Sequence, residues 1–181
     1  KKTIYYDSAT LKIYDFPIFY FPILSHPDPS VKRRSGFLVP SFSDSTNIGL
    51  GVNIPYFWDI ANDKDITFTP RLYSNNKPLF LTEYRQDFEK SFFILDTGYS
   101  DGYKKTSNSK TKGSRSHIFA KFFNSFFEEE NLSSNLEVNL QHVSNNTYPR
   151  INKIDTSLVD YLDSTVKNTV EYSYQKEDLF F

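Results

Sequence analysis

The sequence predicts an all-β protein built from antiparallel strands, and three observations support that prediction. Apolar and polar residues alternate over long stretches, as they do where successive strand residues point to opposite faces of a sheet. Aromatic residues make up 18% of the 181 residues, although the mean hydropathy is only -0.53. No apolar run reaches the roughly 18 residues of a membrane-spanning helix. This combination is typical of strands with one apolar and one polar face.

The first part of the chain predicts two short strands, one around Leu11 and Ile13 and the other over residues 18–24. A linker with prolines and a basic run follows. From Phe37 onward, alternation takes over, and each alternating segment is a predicted strand. The clearest of these segments are 65–73, 79–88, 132–142 and 164–174.

Two further predicted strands, over 37–42 and 48–58, each contain a proline, Pro40 in the first and Pro55 in the second. Proline has no N–H to donate to a ladder, so sheets confine it to edges, strand ends or bulges. An edge position explains both residues without any function. Because the two segments can pair as a hairpin, the prolines also predict a deliberately weak strand pair. Gly49 and Gly51 add to this prediction, since glycine weakens strand interiors.

Alternation alone does not say which face is buried. A soluble sandwich turns its apolar face inward, whereas a transmembrane barrel turns that face to lipid. Several segments have the roughly 10 residues of a tilted membrane strand, against about 5–6 for an ordinary strand. The links also alternate between long and short, as in outer-membrane barrels. The long links are 100–115 and 145–163, and the short ones are 89–90, 128–131 and 175–178.

Composition and motifs give little support to catalysis or metal binding. The formal charge of -1 favours no nucleic acid, and the absence of cysteine excludes disulfides and thiolate sites within the chain. The 3 histidines lack metal-ligand spacing, and no G-x-S-x-G motif is present. We therefore predict no catalytic residue, no metal site and no cofactor. Lys32, Arg33 and Arg34 are either a solvated linker or a weak phosphate-binding run.

The chain has no methionine and opens in the middle of a pattern, on Lys1. It closes on residues 179–181, Leu-Phe-Phe, which are typical of the start of another strand. These features predict that the sequence is a piece of a longer protein.

Three segments carry a family resemblance: RRSGFLVP at 33–40, NIPYFWDIANDKDITFTP at 53–70 and EYR at 83–85. They resemble LptD, the lipopolysaccharide-assembly (organic-solvent-tolerance) protein family of the Gram-negative outer membrane. HPDP at 26–29 is similar to the alphaproteobacterial branch of that family. The resemblance covers about the first half of the chain, and beyond Arg85 only the strand rhythm supports it.

The resemblance implies a division into two parts. Residues 1–30 would be the C-terminal end of a periplasmic β-jellyroll of the OstA type. Residues 31–181 would be antiparallel strands that form the N-terminal part of a large outer-membrane β-barrel. The protein would then assemble lipopolysaccharide into the outer leaflet. Pro40 and Pro55, with Gly49 and Gly51, would belong to a lateral gate between barrel strands.

Further sites and partners follow from the same resemblance. Ile13, Phe19 and Phe21 would line a groove that carries acyl chains, and the basic run 32–34 would meet phosphates at the jellyroll–barrel junction. The implied partners are lipopolysaccharide, the plug lipoprotein LptE, the periplasmic bridge protein LptA and outer-membrane lipids, with no nucleic acid. Two alternatives stay open: an outer-membrane barrel enzyme, and a soluble β-sandwich that acts as a binding module.

Overall fold

The computed structural model describes residues 3–13, 15–27, 33–46, 48–101, 113–129, 132–163 and 165–176. The chain divides into two compact units, Lys1–Gly36 and Phe37–Phe181. The interpretation of residues 1–30 as the end of a jellyroll and of 31–181 as part of a barrel stays a prediction.

The first unit contains a β-hairpin of two long strands, β1 (Thr3–Ile13) and β2 (Phe16–Pro27). They pair antiparallel, with Thr3 opposite Pro27 and Ile13 opposite Phe16. Asp15 takes a positive φ of 62° in the turn between them. Both strands are longer than predicted. In β2, Pro17 and Pro22 lie within the strand and do not end it. In a two-stranded sheet each strand has an unpaired side, where a missing N–H costs no ladder bond.

The second unit is built on an antiparallel sheet of 10 strands that follow one another along the chain. The order is β12-β11-β10-β9-β8-β7-β5-β4, while β3 pairs with β6 and β6 with β7. The all-β prediction is confirmed. A single short helix, α1 (Tyr148–Asn152), lies between β11 and β12 in the described part of this unit. The strands are β3 (Gly36–Phe37), β4 (Ser41–Ser43), β5 (Gly51–Asn53), β6 (Tyr56–Ala61), β7 (Lys64–Tyr73), β8 (Leu79–Asp87), β9 (Ser91–Ser100), β10 (Arg115–Glu129), β11 (Leu132–Val143) and β12 (Thr169–Lys176).

The four short strands β3 to β6 are two longer strands, each interrupted once. β5 and β6 both pair with β7, and their register is continuous: Asn53 lies opposite Arg71, and Tyr56 lies opposite Phe68. β3 and β4 run along the other side of this second strand. We call β3 with β4 the first strand and β5 with β6 the second strand.

The exposed face of the sheet is apolar. Cross-strand pairing places the even-numbered residues of β7, such as Phe68, on the same face as Phe80 of β8, and these two rings stack at 6.2 Å. This face continues to β12, where Val170 is 71% exposed. Its exposed members are Phe68, Leu72, Phe80, Tyr99, Ile118, Leu140, Val170, Tyr172 and Tyr174. A soluble sandwich would bury such a face, whereas a membrane strand presents it to lipid.

The opposite face carries the charged side chains. Arg85 Nε lies 2.9 Å from Asp65 Oδ1 on the neighbouring strand, and Lys121 Nζ lies 3.0 Å from Glu137 Oε1. Arg85 is 47% exposed, so its ion pair contributes at most about 1 kcal/mol. The two faces together have the polarity expected of a barrel wall around a wet interior.

Strand lengths agree with that polarity. β7 has 10 residues, β8 has 9 and β9 has 10, close to the roughly 9–11 of a tilted membrane strand. Of the predicted links, 88–90 and 130–131 are short and 101–114 and 144–168 are long. The predicted short link at 175–178 is wrong at its start, since β12 runs to Lys176, and residues 177–178 lie outside the described part of the chain. Within the described residues, no helix is long and apolar enough to cross a membrane.

Two predicted strands have other bounds in the structure: the second strand covers residues 51–61 instead of 48–58, and β12 starts late. The pattern predicts a strand from residue 164, but β12 begins at Thr169. Before that point, bonds between side chain and backbone take the place of the ladder bonds. The backbone N–H of Lys167 donates to Gln141 Oε1 at 2.6 Å, and the backbone N–H of Gln141 donates to Asn168 Oδ1 at 2.8 Å. Backbone groups that are already satisfied by side chains do not need a strand partner.

The polarity of the faces can be tested by introducing arginine at either of two neighbouring positions on opposite faces of β12. We expect Val170→Arg in the full-length protein to lower the free energy of unfolding by up to about 2–4 kcal/mol, the cost of a lipid-facing arginine at mid-membrane depth. Glu171→Arg on the opposite face, which lies across from Glu137, is the matched control and should be tolerated. The measurement is the urea midpoint in lipid vesicles. Equal midpoints for the two variants would contradict a lipid-facing surface.

Candidate functional site

The first two strands both break at the predicted prolines. The first strand has no ladder assignment from Leu38 to Pro40, and the second has none at Ile54 and Pro55. Two isolated hydrogen bonds cross these gaps. The Leu38 amide donates to the Pro55 carbonyl at 2.8 Å, and the Ile54 amide donates to the Pro70 carbonyl at 3.1 Å.

These bonds give the direction of each backbone group. In an antiparallel ladder, the N and O atoms of one residue point to the same neighbour, and successive residues alternate. The Pro55 carbonyl points to the first strand, so the Pro55 nitrogen, which lacks a hydrogen, points there too. Ile54 points the other way, to β7. The missing donor of Pro55 is therefore lost from the pairing between the first and second strands.

Pro40 lies in an irregular stretch of the first strand. The Leu38 amide bonds to Pro55, whereas the next ladder pair joins Ser41 to Asn53, so three steps along the first strand lie opposite two steps along the second. Such an extra residue is a β-bulge, one of the places where a sheet accepts proline. Asn53 Nδ2 also donates to Ser41 Oγ at 2.8 Å. The structure thus places Pro40 at the interruption of the edge strand and Pro55 in the pairing of that strand with the second strand.

The two glycines lie close to these breaks, where they serve tight backbone geometry. Gly49 has a φ of 77°, which side-chain-bearing residues rarely adopt, and its amide donates to the Ser45 carbonyl at 2.7 Å. Gly51 is buried, and a Cβ atom there would lie 2.6 Å from Ser43 Oγ and 3.0 Å from the Tyr73 ring. Their assignment to a gate stays a prediction.

The other predicted residues lie away from the prolines along the chain. Arg33 and Arg34 have exposed side chains and precede β3. Lys32 lies outside the described residues, as do the side chains of the three groove candidates. The backbones of those three belong to the first hairpin, where Ile13 pairs with Phe16, Phe19 with Leu11 and Phe21 with Ala9.

A buried polar cluster lies on the charged face of the sheet, at the ends of β9 and β10. His117 Nε2 lies 2.7 Å from Asp96 Oδ1, and His117 Nδ1 lies 3.2 Å from Tyr148 Oη. The three residues are at most 4% exposed. His117 also stacks on Phe119 with ring centroids 4.4 Å apart. This cluster ties the segment between β11 and β12 to the sheet.

Apolar packing and a helix cap complete this attachment. Tyr148 and Ile154 are buried against Leu79 and Phe119 of the sheet. Arg71 Nη1 donates to the Asn152 carbonyl at 2.8 Å, which satisfies a carbonyl at the C-terminal end of α1. Burial raises the pKa of the Tyr148 hydroxyl above its ordinary value, so this hydroxyl stays protonated. The segment 144–163 is therefore docked on the polar face.

The chemistry of the cluster is structural. Both ring nitrogens of His117 are engaged, which leaves neither to activate a serine hydroxyl. The imidazole ring of His117 packs against Gly98. A Cβ atom at Gly98 would collide with His117 Cε1 and lie 2.7 Å from Tyr148 Oη. In the described part of the chain, no group of three or more His, Cys, Asp or Glu side chains is placed to hold a metal ion.

Comparison with known proteins finds relatives that share one name, LPS-assembly protein LptD. LPS-assembly protein LptD of Shewanella oneidensis is 49% identical over 79 residues, which is 43% of this chain and 10% of that protein. LptD of Nitrosococcus oceani is 44% identical over 77 residues, 42% of the chain and 10% of the relative. LptD of Pseudoalteromonas translucida is 42% identical over 78 residues, with 43% and 10% covered. No model of a known protein family matches the chain.

Over the matched stretch, the chain is similar to LptD. Identity above 40% over nearly 80 residues, repeated in relatives from three genera, confirms the resemblance carried by the sequence motifs. The matched stretch spans about a tenth of the length of these LptD relatives.

Two features of the LptD-like chain escaped the sequence analysis. Pro70 lies on β7 at the level of Pro55, and sequence reasoning placed it on a strand without a role. Its signal was the equal spacing of the three prolines, each fifteen positions from the next. The attachment of Tyr148 to His117 had no signal in the sequence, since 31 residues separate the two.

The docking of the segment 144–163 can be tested at Gly98. Gly98→Ala adds a methyl group where the His117 ring and the Tyr148 hydroxyl lie, and overpacking of this kind costs typically about 1–3 kcal/mol. We expect faster amide hydrogen exchange and protease cleavage within 144–163 of the full-length protein. Gly113→Ala is the control, because a Cβ there meets nothing within 4 Å. Unchanged protection in Gly98→Ala would show that the cluster does not hold the segment.

Proposed function

We propose that this chain is part of an LPS-assembly protein that inserts lipopolysaccharide into the outer leaflet of the Gram-negative outer membrane. The observation that carries the proposal is the homology to proteins named LPS-assembly protein LptD, which reaches 49% identity. Residues 31–181 would form the N-terminal part of the outer-membrane barrel, and residues 1–30 would end a periplasmic jellyroll. The protein would act as a transporter and use no cofactor.

The polarity of the sheet supports a place in the membrane. Lipopolysaccharide has acyl chains and a charged sugar portion, and transport must keep the first in apolar and the second in wet surroundings. The exposed apolar face, with Val170 71% exposed, suits contact with outer-membrane lipids. The opposite face, with charged pairs such as Arg85 and Asp65, suits a path for sugars and phosphates.

The prolines support an exit between strands. Pro40 has no N–H and interrupts the first strand, which is the edge of the sheet where the closing strand of a barrel would pair. A net hydrogen bond contributes about 0.5–1.5 kcal/mol, so a seam short of such bonds opens more easily. Pro55 weakens the next pairing, and Gly49 and Gly51 shape the turn that joins the two strands. We propose that these four residues belong to a lateral gate.

The partners follow from the same proposal. Lipopolysaccharide is the cargo, and LptA would deliver it from the periplasm. Ile13, Phe19 and Phe21 would line the groove for acyl chains, and the basic run Lys32, Arg33 and Arg34 would meet its phosphates. The plug lipoprotein LptE would lie in the barrel interior. The formal charge of -1 gives no support to a nucleic-acid partner.

The two alternatives have less support. An outer-membrane barrel enzyme needs a histidine free to activate a nucleophile, but the ring nitrogens of His117 are engaged by Asp96 and Tyr148. A soluble β-sandwich needs an apolar face turned inward, whereas here the apolar face is exposed.

Depletion of the full-length protein tests the function as a whole. We expect loss of surface-exposed lipopolysaccharide, with newly made lipopolysaccharide retained in the cell envelope and no change in phospholipid hydrolysis. Surface labelling of lipopolysaccharide and membrane fractionation are the measurements. Recovery of the protein in the soluble periplasm would refute the barrel, and unchanged surface lipopolysaccharide would refute the transport role.

The gate is tested by replacing the two prolines with residues that have a backbone N–H. Pro40→Thr with Pro55→Thr should lower the population of the open seam by about two- to tenfold for each restored bond. Slower export and greater sensitivity to large antibiotics would follow. Pro78→Thr, in the link before β8, is the control because it lies outside any ladder. Normal export in the double variant would remove the gate argument while leaving the transport role intact.

A further inference from the structure

Three prolines lie at one level across three neighbouring strands. Pro70 lies in β7, and its carbonyl accepts the bond from the Ile54 amide at 3.1 Å. In an antiparallel pair joined this way, the second bond would run from residue 70 back to the Ile54 carbonyl. Proline has no hydrogen to give, so the pair of Ile54 with Pro70 has one bond instead of two.

Two of the missing donors share one direction. The Pro70 nitrogen points to the second strand, and the Pro55 nitrogen points to the first strand. Each of these two prolines therefore removes a bond from the side of its strand that is nearer the sheet edge. Pro40 lies beside them, in the interrupted stretch of the first strand. One such residue is compatible with an ordinary edge proline, whereas prolines on neighbouring strands weaken successive pairings at the same level.

Beyond this level lies a small hairpin. β4 pairs with β5 from Ser41 opposite Asn53 to Ser43 opposite Gly51. β5 in turn meets β7 over Gly51–Asn53. The turn adds three bonds: the Ser74 amide to the Leu50 carbonyl at 2.8 Å, the Leu50 amide to Ser74 Oγ at 3.1 Å and the Asn75 amide to the Ile48 carbonyl at 3.3 Å. On the other side of the prolines, β6 pairs with the longer remainder of β7, which is paired with β8 in turn. The β4–β5 hairpin is thus held to the sheet only along β5 and its turn, beyond the interrupted level.

We propose that β4 and β5 form a flap that swings away from β7 about the level of the three prolines, and that Pro70 is a third gate residue. This inference rests on the proposed transport role and extends it. The opening would be wider than a parted seam beside β4, because the flap would also leave β7. Pro70 is a positioning residue here, because it acts through the pairing of Ile54.

Pro70→Thr in the full-length protein tests the role of this residue. The substitution returns a donor to the Ile54 carbonyl, so the open flap should become about two- to tenfold less populated, and export should slow in proportion. Pro78→Thr is the control. Amide hydrogen exchange separates this role from a general change in stability. Exchange should slow in β4 and β5, while exchange in β8 and β9 stays unchanged. Unchanged exchange and export would overturn the role of Pro70.

Two cysteine pairs test the flap itself, because the chain has no cysteine of its own. Asn53→Cys with Arg71→Cys would join the flap to β7, and Phe57→Cys with Thr67→Cys would join β6 to β7 on the other side of the prolines. By alternation from Ile54, both are non-hydrogen-bonded pairs, whose Cα separation of about 4.5 Å allows a disulfide. The single Arg71→Cys variant controls for the lost bond to Asn152.

The outcomes separate the flap from the transport role. We expect oxidation of the pair at 53 and 71 to stop export and a reductant to restore it, whereas oxidation of the pair at 57 and 67 leaves export unchanged. A block by both pairs would mean that the whole second strand separates, and a block by neither would mean that it stays on β7. Either result overturns the flap. The transport role fails separately, on the depletion experiment.

Discussion

The rest of the structure depends on which face of the sheet is apolar. In the proposed membrane setting, lipid covers the apolar face, water is not available there to satisfy the backbone, and every N–H must find its partner in the ladder. Under this constraint a residue without an N–H is costly in the interior of the sheet and cheap only at its margin. Pro40, Pro55 and Pro70 lie on the first strand, the second strand and β7, and Pro55 and Pro70 remove their bonds on the edge side. Their placement follows the constraint and concentrates the weakness at one end of the sheet.

The same constraint explains what happens on the polar face. Charged pairs such as Asp65 with Arg85 line most of it, but a cluster around His117 is buried. Burial there comes from the chain itself, because the segment 144–163 folds back and places Tyr148 over the histidine. A polar face that is covered by its own loop keeps the hydrogen bonds of Asp96 and His117 away from competing water. This supports the middle of the sheet at β9 and β10, in contrast to the end that carries the prolines.

The strands could be predicted from the sequence because a strand with one apolar and one polar face has apolar and polar residues in alternation. β7, β8 and β11 start and end within about two residues of the alternating segments that predict them. The direction of the faces could not be predicted, since the period is the same for lipid-facing and core-facing strands. α1 could not be predicted either, because its 5 residues are too few to show a helical period, and its stability comes from contacts with Phe119 and Arg71.

Of the candidate site, the positions of Pro40 and Pro55 could be predicted from residue type alone, but their consequences could not. A missing donor matters only through the group it fails to reach, and that group is fixed by register. Whether Pro55 weakens its pairing with the first strand or with β7 depends on the strand that its backbone faces, and a shift of one residue exchanges the two. The bond from the Leu38 amide to the Pro55 carbonyl shows that it faces the first strand. The same reasoning gives Pro70 its meaning. On the sequence it is one more proline in an alternating strand, and only the bond from Ile54 shows that its missing hydrogen continues the weakness begun at the edge.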